Sequence, residues 1–213
     1  ADCNPLFLTE CGTVINRPHD LLAHPDGKTI VMAGTPGYGY TGGGLLFWNR
    51  KTRTATLIEH TAILPEHSTR SLVALPDGNL LGGTTTNPGT GGEQKAIEAE
   101  LYIMDMETKG IIWHQVVFPR VQEYTDLFLD ANGLLYGIAD GNRYFVFDPK
   151  NREVVYEENA EPRFGSTGHQ QGHRKFVPDT DGTIYILFRN SIARIDPTTF
   201  RLKMLVESHI PIE

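Results

Sequence analysis

The segment Pro76-Asp77-Gly78-Asn79-Leu80-Leu81-Gly82-Gly83-Thr84 joins an Asp-Gly turn directly to a short apolar run, and another apolar run, residues 71–75, leads into it. Two such runs around an Asp-Gly pair are a β-hairpin signal. The same pattern returns as Pro25-Asp26-Gly27, Ala131-Asn132-Gly133 and Thr180-Asp181-Gly182, so the turn glycines recur at intervals of 51, 55 and 49 residues. The first strands of the four units are expected at 19–24, 71–75, 127–130 and 175–177, and the second at 29–33, 80–83, 134–139 and 183–188. A third strand follows in each unit, at 45–49, 101–105, 144–148 and 192–196. It ends at a turn opened by Asn49, Asp105, Asp148 or Asp196, with Pro following in the last two units, as a type I turn favours. Fourth strands at 54–59, 111–117, 153–157 and 201–206 close the units.

Four antiparallel strands in a repeat of about 50 residues, with no helical periodicity, predict an all-β β-propeller. It has four complete blades, at 19–60, 69–117, 124–157 and 174–206, and a short C-terminal tail. A β-sandwich is the competing architecture, but a sandwich does not repeat one hairpin chemistry in phase. Residues 5–16 read as the last two strands of a preceding blade, so residues 1–18 are expected to form a partial blade. Either the circle closes with four or five blades, or the chain is a segment of a larger propeller completed by further blades of a longer chain or by another copy in a homo-oligomer.

Composition narrows the function classes. In 213 residues, 39% hydrophobic and 21% charged side chains suit one folded domain rather than disorder, and no apolar run approaches the roughly 18 residues of a membrane helix. Nineteen basic against 26 acidic groups give a net charge of -7, which argues against a nucleic-acid partner. The two cysteines, Cys3 and Cys11, suit either a disulfide tying down the N-terminus of an extracellular or periplasmic protein or two reduced thiols. No Asn-x-Ser/Thr sequon supports secretion independently.

The tight turns share one face of the propeller, and the long connections (35–44, 60–69, 84–98, 118–125 and 159–174) share the other, where binding is expected. The first strand of a blade is innermost, so polar residues at its start should line the mouth of the central channel. These are Arg17, His19, His67, Thr69, Arg70, Tyr124, Asp126, His169, Gln171, His173 and Arg174. Tyr38 and Tyr40, held among glycines in the 35–44 loop, are candidates for stacking against sugars. Gly37-Tyr38-Gly39-Tyr40-Thr41-Gly42 matches G-x-G-x-x-G by letter, but a strand follows it and no helix N-terminus can receive a pyrophosphate. No cofactor is demanded, although His169-x3-His173 leaves a divalent metal open.

The blade pattern of Pro76 to Thr84, Gly133-Leu134-Leu135-Tyr136-Gly137 and Phe145-Val146-Phe147-Asp148-Pro149-Lys150 resembles bacterial propellers of the SMP-30, NHL and YncE-like group. Gly34-Thr35-Pro36-Gly37-Tyr38-Gly39-Tyr40-Thr41-Gly42-Gly43 is similar to a segment of seven-bladed bacterial and fungal propellers, some of them polysaccharide lyases or glycosidases. The resemblance implies a larger ring and an oligo- or polysaccharide partner. The metal-ligand pattern of SMP-30 lactonases has no position-by-position match here. The activity it points to is β-elimination in a uronate-containing glycan. His19 or His67 would be the base, Tyr38, Tyr40 or Tyr124 the acid, and Arg17, Arg70 or Arg174 the carboxylate clamp. Asp126, His169, Gln171 and His173 would complete substrate binding. The alternative is a non-catalytic propeller that binds a glycan or protein through the same face.

Overall fold

The computed structural model describes residues 7–167 and 175–208. They form four antiparallel four-stranded sheets with simple up-and-down order. Blade 1 contains β1 (Arg17–Ala23), β2 (Thr29–Thr35), β3 (Gly44–Asn49) and β4 (Thr54–Glu59). Blade 2 contains β5 (Ser68–Ala74), β6 (Leu80–Thr85), β7 (Leu101–Met104) and β8 (Ile111–Gln115). Blade 3 is built from β9 (Tyr124–Leu129), β10 (Leu135–Ala139), β11 (Arg143–Asp148) and β12 (Glu153–Asn159), and blade 4 from β13 (Phe176–Pro178), β14 (Ile184–Leu187), β15 (Ser191–Ile195) and β16 (Leu202–Glu207). Among the described residues, no helix is long and apolar enough to cross a membrane.

Both repeated turns show why the sequence returns to Asp and Gly. In the first, the N–H of Gly27, Gly78, Gly133 or Gly182 donates to the carbonyl three residues earlier, and all four glycines take φ between 71° and 88°. An L side chain there would strain the backbone. In the second, Oδ1 of Asn49, Asp105, Asp148 or Asp196 accepts the N–H groups two and three residues ahead. The side chain thus satisfies donors that the reversing backbone leaves without partners.

Three apolar cores lie between successive blades. Leu45, Phe47, Leu72, Leu80 and Tyr102 fill the space between blades 1 and 2, and Leu101, Phe118, Tyr124, Phe145 and Phe147 that between blades 2 and 3. Ile138, Tyr144, Phe164, Ile186 and Phe188 fill the third, between blades 3 and 4. Blades 2 and 3 are therefore covered on both faces. Among the described residues, no packing of comparable extent joins blade 4 back to blade 1, and Leu21, Val177 and Val206 remain exposed on the end blades.

Two expectations are corrected. The described part of the N-terminal segment, 7–16, contains turns and loop where two strands were expected. It lies along blade 1 instead: Asn16 N–H donates to Thr35 O at 3.0 Å and Gly37 N–H to Thr13 O at 2.8 Å. Each first strand of blades 1 to 3 also begins two or three residues earlier than the apolar pattern indicates, because it carries a β-bulge. The register shifts across Pro18/Asp20 in β1, across Thr69/Ser71 in β5, and opposite Ile138/Ala139 in β9. A bulge inserts an extra residue and breaks the alternation on which a strand is recognised.

Candidate functional site

The bulges build the mouth of the channel. Eight residues before each turn glycine stand His19, Arg70 and Thr125, the extra residues, which the bulge re-aims. Seven residues before it stand Asp20, Ser71 and Asp126, which tie each blade to the next. Asp20 Oδ2 accepts Leu72 N–H at 2.7 Å, Ser71 Oγ donates to Tyr124 O at 3.1 Å, and Asp126 Oδ2 accepts Lys175 N–H at 2.5 Å and Phe176 N–H at 3.2 Å. The equivalent residue of blade 4 is Lys175, itself buried, where burial lowers the ammonium pKa and the Asp126 carboxylate opposes that shift.

A cavity of about 220 Å³ opens at this mouth, lined by Arg17, His19, Thr35, Arg70, Asn87 and Glu123 among others. Arg70 Nη1 donates to His19 Nδ1, so the proton of the imidazole sits on Nε2, which faces Thr35 Oγ1 at 3.0 Å. Burial and the charges of Arg70 and Arg17 push the His19 pKa down from 6.5 to about 3. The ring is neutral and its lone pair is already directed at Arg70. Glu123 lies 3.8 Å from Arg70 Nε, and Asp140 Oδ1 holds the Glu123 backbone N–H at 2.9 Å. Arg70 Nε is buried without a hydrogen-bond partner, an omission that typically costs about 1–3 kcal/mol.

Beside the cavity, the β2–β3 and β6–β7 loops of adjacent blades bond to one another. Gly39 N–H donates to Thr90 O and Gly89 N–H to Tyr40 O, both at 3.0 Å, and Thr41 Oγ1 donates to Glu93 O at 2.5 Å. Glycine permits this approach: a Cβ on Gly89 would collide with the Gly37 carbonyl, and one on Gly92 with that of Tyr40. The double loop forms a wall from which Tyr38 and Tyr40 project, 68% and 54% exposed. The Arg17 guanidinium lies over the Tyr38 ring, 5.2 Å from its centroid, and Arg17 Nη2 donates to Thr90 Oγ1 at 2.7 Å. Tyr40 lines a separate hollow with His60, Glu66, Glu93 and Lys95.

The structure therefore gathers Arg17, His19 and Arg70, with Tyr38 beside them, and leaves Tyr40, His67, Tyr124 and Asp126 out of the cavity lining. Tyr124 is fully buried, in edge contact with Phe145, and burial drives its hydroxyl pKa far upward, so it is a core residue rather than an acid for a substrate. Asp126 is a blade clamp rather than a substrate ligand. His67 faces Pro65 O with Nδ1 and Glu98 O with Nε2, both at 2.9 Å, so both nitrogens are turned toward backbone carbonyls and the ring is not part of the cavity lining. His169, Gln171, His173 and Arg174 lie outside the described residues, as does Cys3, while Cys11 carries a free, partly buried thiol whose pKa burial raises. Among the described residues, no group of three His, Cys, Asp or Glu side chains is arranged to hold a metal.

The sequence pattern missed Glu123 as a cavity residue. The signal was present in the fixed offsets from the turn glycines, which align the bulges better than apolar alternation does.

No family model and no curated protein matches the chain. Solved structures do. The Dos1 propeller superposes with a TM-score of 0.59 at 10% identity, covering 86% of this chain and 43% of that one. The RRP9 WD40 repeats superpose with a TM-score of 0.62 at 12% identity, covering 92% of this chain and 53% of that one. The fold is that of a β-propeller. At these identities the likeness shows the fold alone, and the chain spans about half the length of the propellers it matches.

Proposed function

We propose that this chain is a non-catalytic binding propeller that engages a macromolecular partner through its loop-rich face. The observation that carries this reading is the wall of two interlocked loops, bonded internally yet holding Tyr38 and Tyr40 in solvent. Fixed aromatic side chains bury much area at small entropic cost, which makes them effective anchors at interfaces. Arg17 extends the anchor with its cation–π contact, worth about 0.5–1 kcal/mol at an exposed site. The likeness to WD40 repeats supports the same reading, since propellers present faces of this kind for binding.

Elimination on a uronate glycan finds little support. It needs a base with a free lone pair, and His19 directs its own toward Arg70 while both nitrogens of His67 face backbone carbonyls. Tyr124 does not reach solvent.

The test is a panel of immobilised peptides and glycans probed with the intact chain and with Tyr38→Ala/Tyr40→Ala. Ligands retained by the intact chain and lost with the double variant, without change in its melting, are expected. Release of an unsaturated sugar, followed by its ultraviolet absorbance, would overturn the reading.

A further inference from the structure

The cavity at the channel mouth carries a charge that its lining does not balance. Among the described residues of the lining, Arg17 and Arg70 face one carboxylate, that of Glu123, with His19 neutral between them, which leaves a net positive unit. The donors are also underused. Arg70 gives one N–H to His19, but its buried Nε has no hydrogen-bond acceptor among the described residues, and Glu123 at 3.8 Å is beyond hydrogen-bonding range. Thr35 and Asn87 add polar groups to the same wall.

We infer that this cavity is a receptor for one carboxylate, that of an Asp or Glu side chain in a partner protein whose neighbouring residues lie on the Tyr38 and Tyr40 wall. The peptide part rests on the binding function proposed above; the carboxylate part rests on the cavity alone. A carboxylate matches the planar guanidinium fork and, as a monoanion, the single unbalanced charge, whereas a phosphate dianion would leave excess negative charge beside Glu123. A peptide is favoured over a uronate because Arg17 already covers one face of Tyr38, which reduces the surface on which a pyranose could stack.

Two arms separate the parts. Sodium acetate against sodium chloride at equal ionic strength reads the cavity alone through the Arg70 Nε–H resonance. A saturable shift with acetate only supports the receptor even where no peptide engages the wall, and no shift overturns it even where the wall binds. In the second arm, a capped peptide with one Glu among neutral residues, its Gln counterpart and an oligogalacturonate are titrated by calorimetry. The Glu peptide is expected to bind about tenfold tighter than the Gln peptide, and Arg70→Lys to remove that advantage. Glu123→Gln, which removes the competing carboxylate, is expected to strengthen Glu-peptide binding several-fold, a gain that misfolding cannot produce. Equal affinity for the two peptides, or no gain in Glu123→Gln, overturns the proposal. Tighter binding of the oligogalacturonate overturns the peptide as the source of the carboxylate.

Discussion

His19 illustrates how local wiring decides what a residue can do. Its position at the mouth suggests a catalytic base, yet a guanidinium donating to Nδ1 fixes a neutral tautomer and the surrounding charge keeps it so. The folded pKa of about 3 lies below the ordinary 6.5, so the contribution of this residue to stability is complete above pH 6.5. As pH falls below that value the unfolded chain takes up a proton that the folded chain excludes, and the contribution is lost by up to about 1.4 kcal/mol per pH unit until the folded value is reached. Two results are expected: ring NMR of His19 showing the Nε2–H tautomer unchanged at pH 5, and a His19→Gln variant whose unfolding free energy falls less steeply between pH 6.5 and 4 than that of the parent. Titration of the ring near pH 6.5 would show that Arg70 does not hold it. Nothing in the string Arg17-Pro18-His19 signals this, because Arg70 arrives from another blade, 51 residues away.

At the scale of the strand, the Asp-Gly hairpins and the Asp-initiated turns were legible because each is completed by residues within four positions of one another. The first strands were legible only in part. Their apolar halves follow the period of two, but a bulge shifts the phase at Pro18/Asp20, at Thr69/Ser71 and, in β9, between Tyr124 and Asp126, and this last shift displaced Tyr124 and Asp126 into the candidate site. Tyr124 faces a core and Asp126 crosses to the next blade, where its carboxylate accepts two backbone N–H groups. Asp126→Ala is therefore expected to destabilise the chain by about 1.5–3 kcal/mol, the range for hydrogen bonds to a charged group, while leaving wall binding intact once the protein is folded. Urea unfolding checks the first statement and titration with a wall ligand the second. A variant as stable as the parent but deficient in binding would return Asp126 to the binding site.

Across the whole molecule, the three inter-blade cores leave blades 2 and 3 covered on both faces and the end blades on one. Among the described residues, the extensive packing of each blade is against its neighbours in sequence, so local stability should follow coverage. Amide hydrogen exchange is expected to be slowest in β6, β7, β10 and β11 and fastest in β4, β13 and β16; slowest exchange in an end blade would mean that its free face is covered. The up-and-down order of the blades places the 35–44, 60–69, 84–98 and 118–125 connections on one face, and that asymmetry was readable from loop lengths alone. What loop lengths do not contain is the bonding between the 35–44 and 84–98 loops, which raises Tyr38 and Tyr40 beside the cavity. Binding without catalysis is the property proposed for this face. It is tested most directly by mixing the protein with a panel of oligouronates and acidic peptides and reading, in the same samples, bound ligand by NMR shift mapping and product by ultraviolet absorbance. Shifts at Arg17, Tyr38, Tyr40 and Arg70 with no unsaturated product are expected; turnover of any oligouronate, or ligand shifts confined to the tight-turn face, would overturn the proposed function.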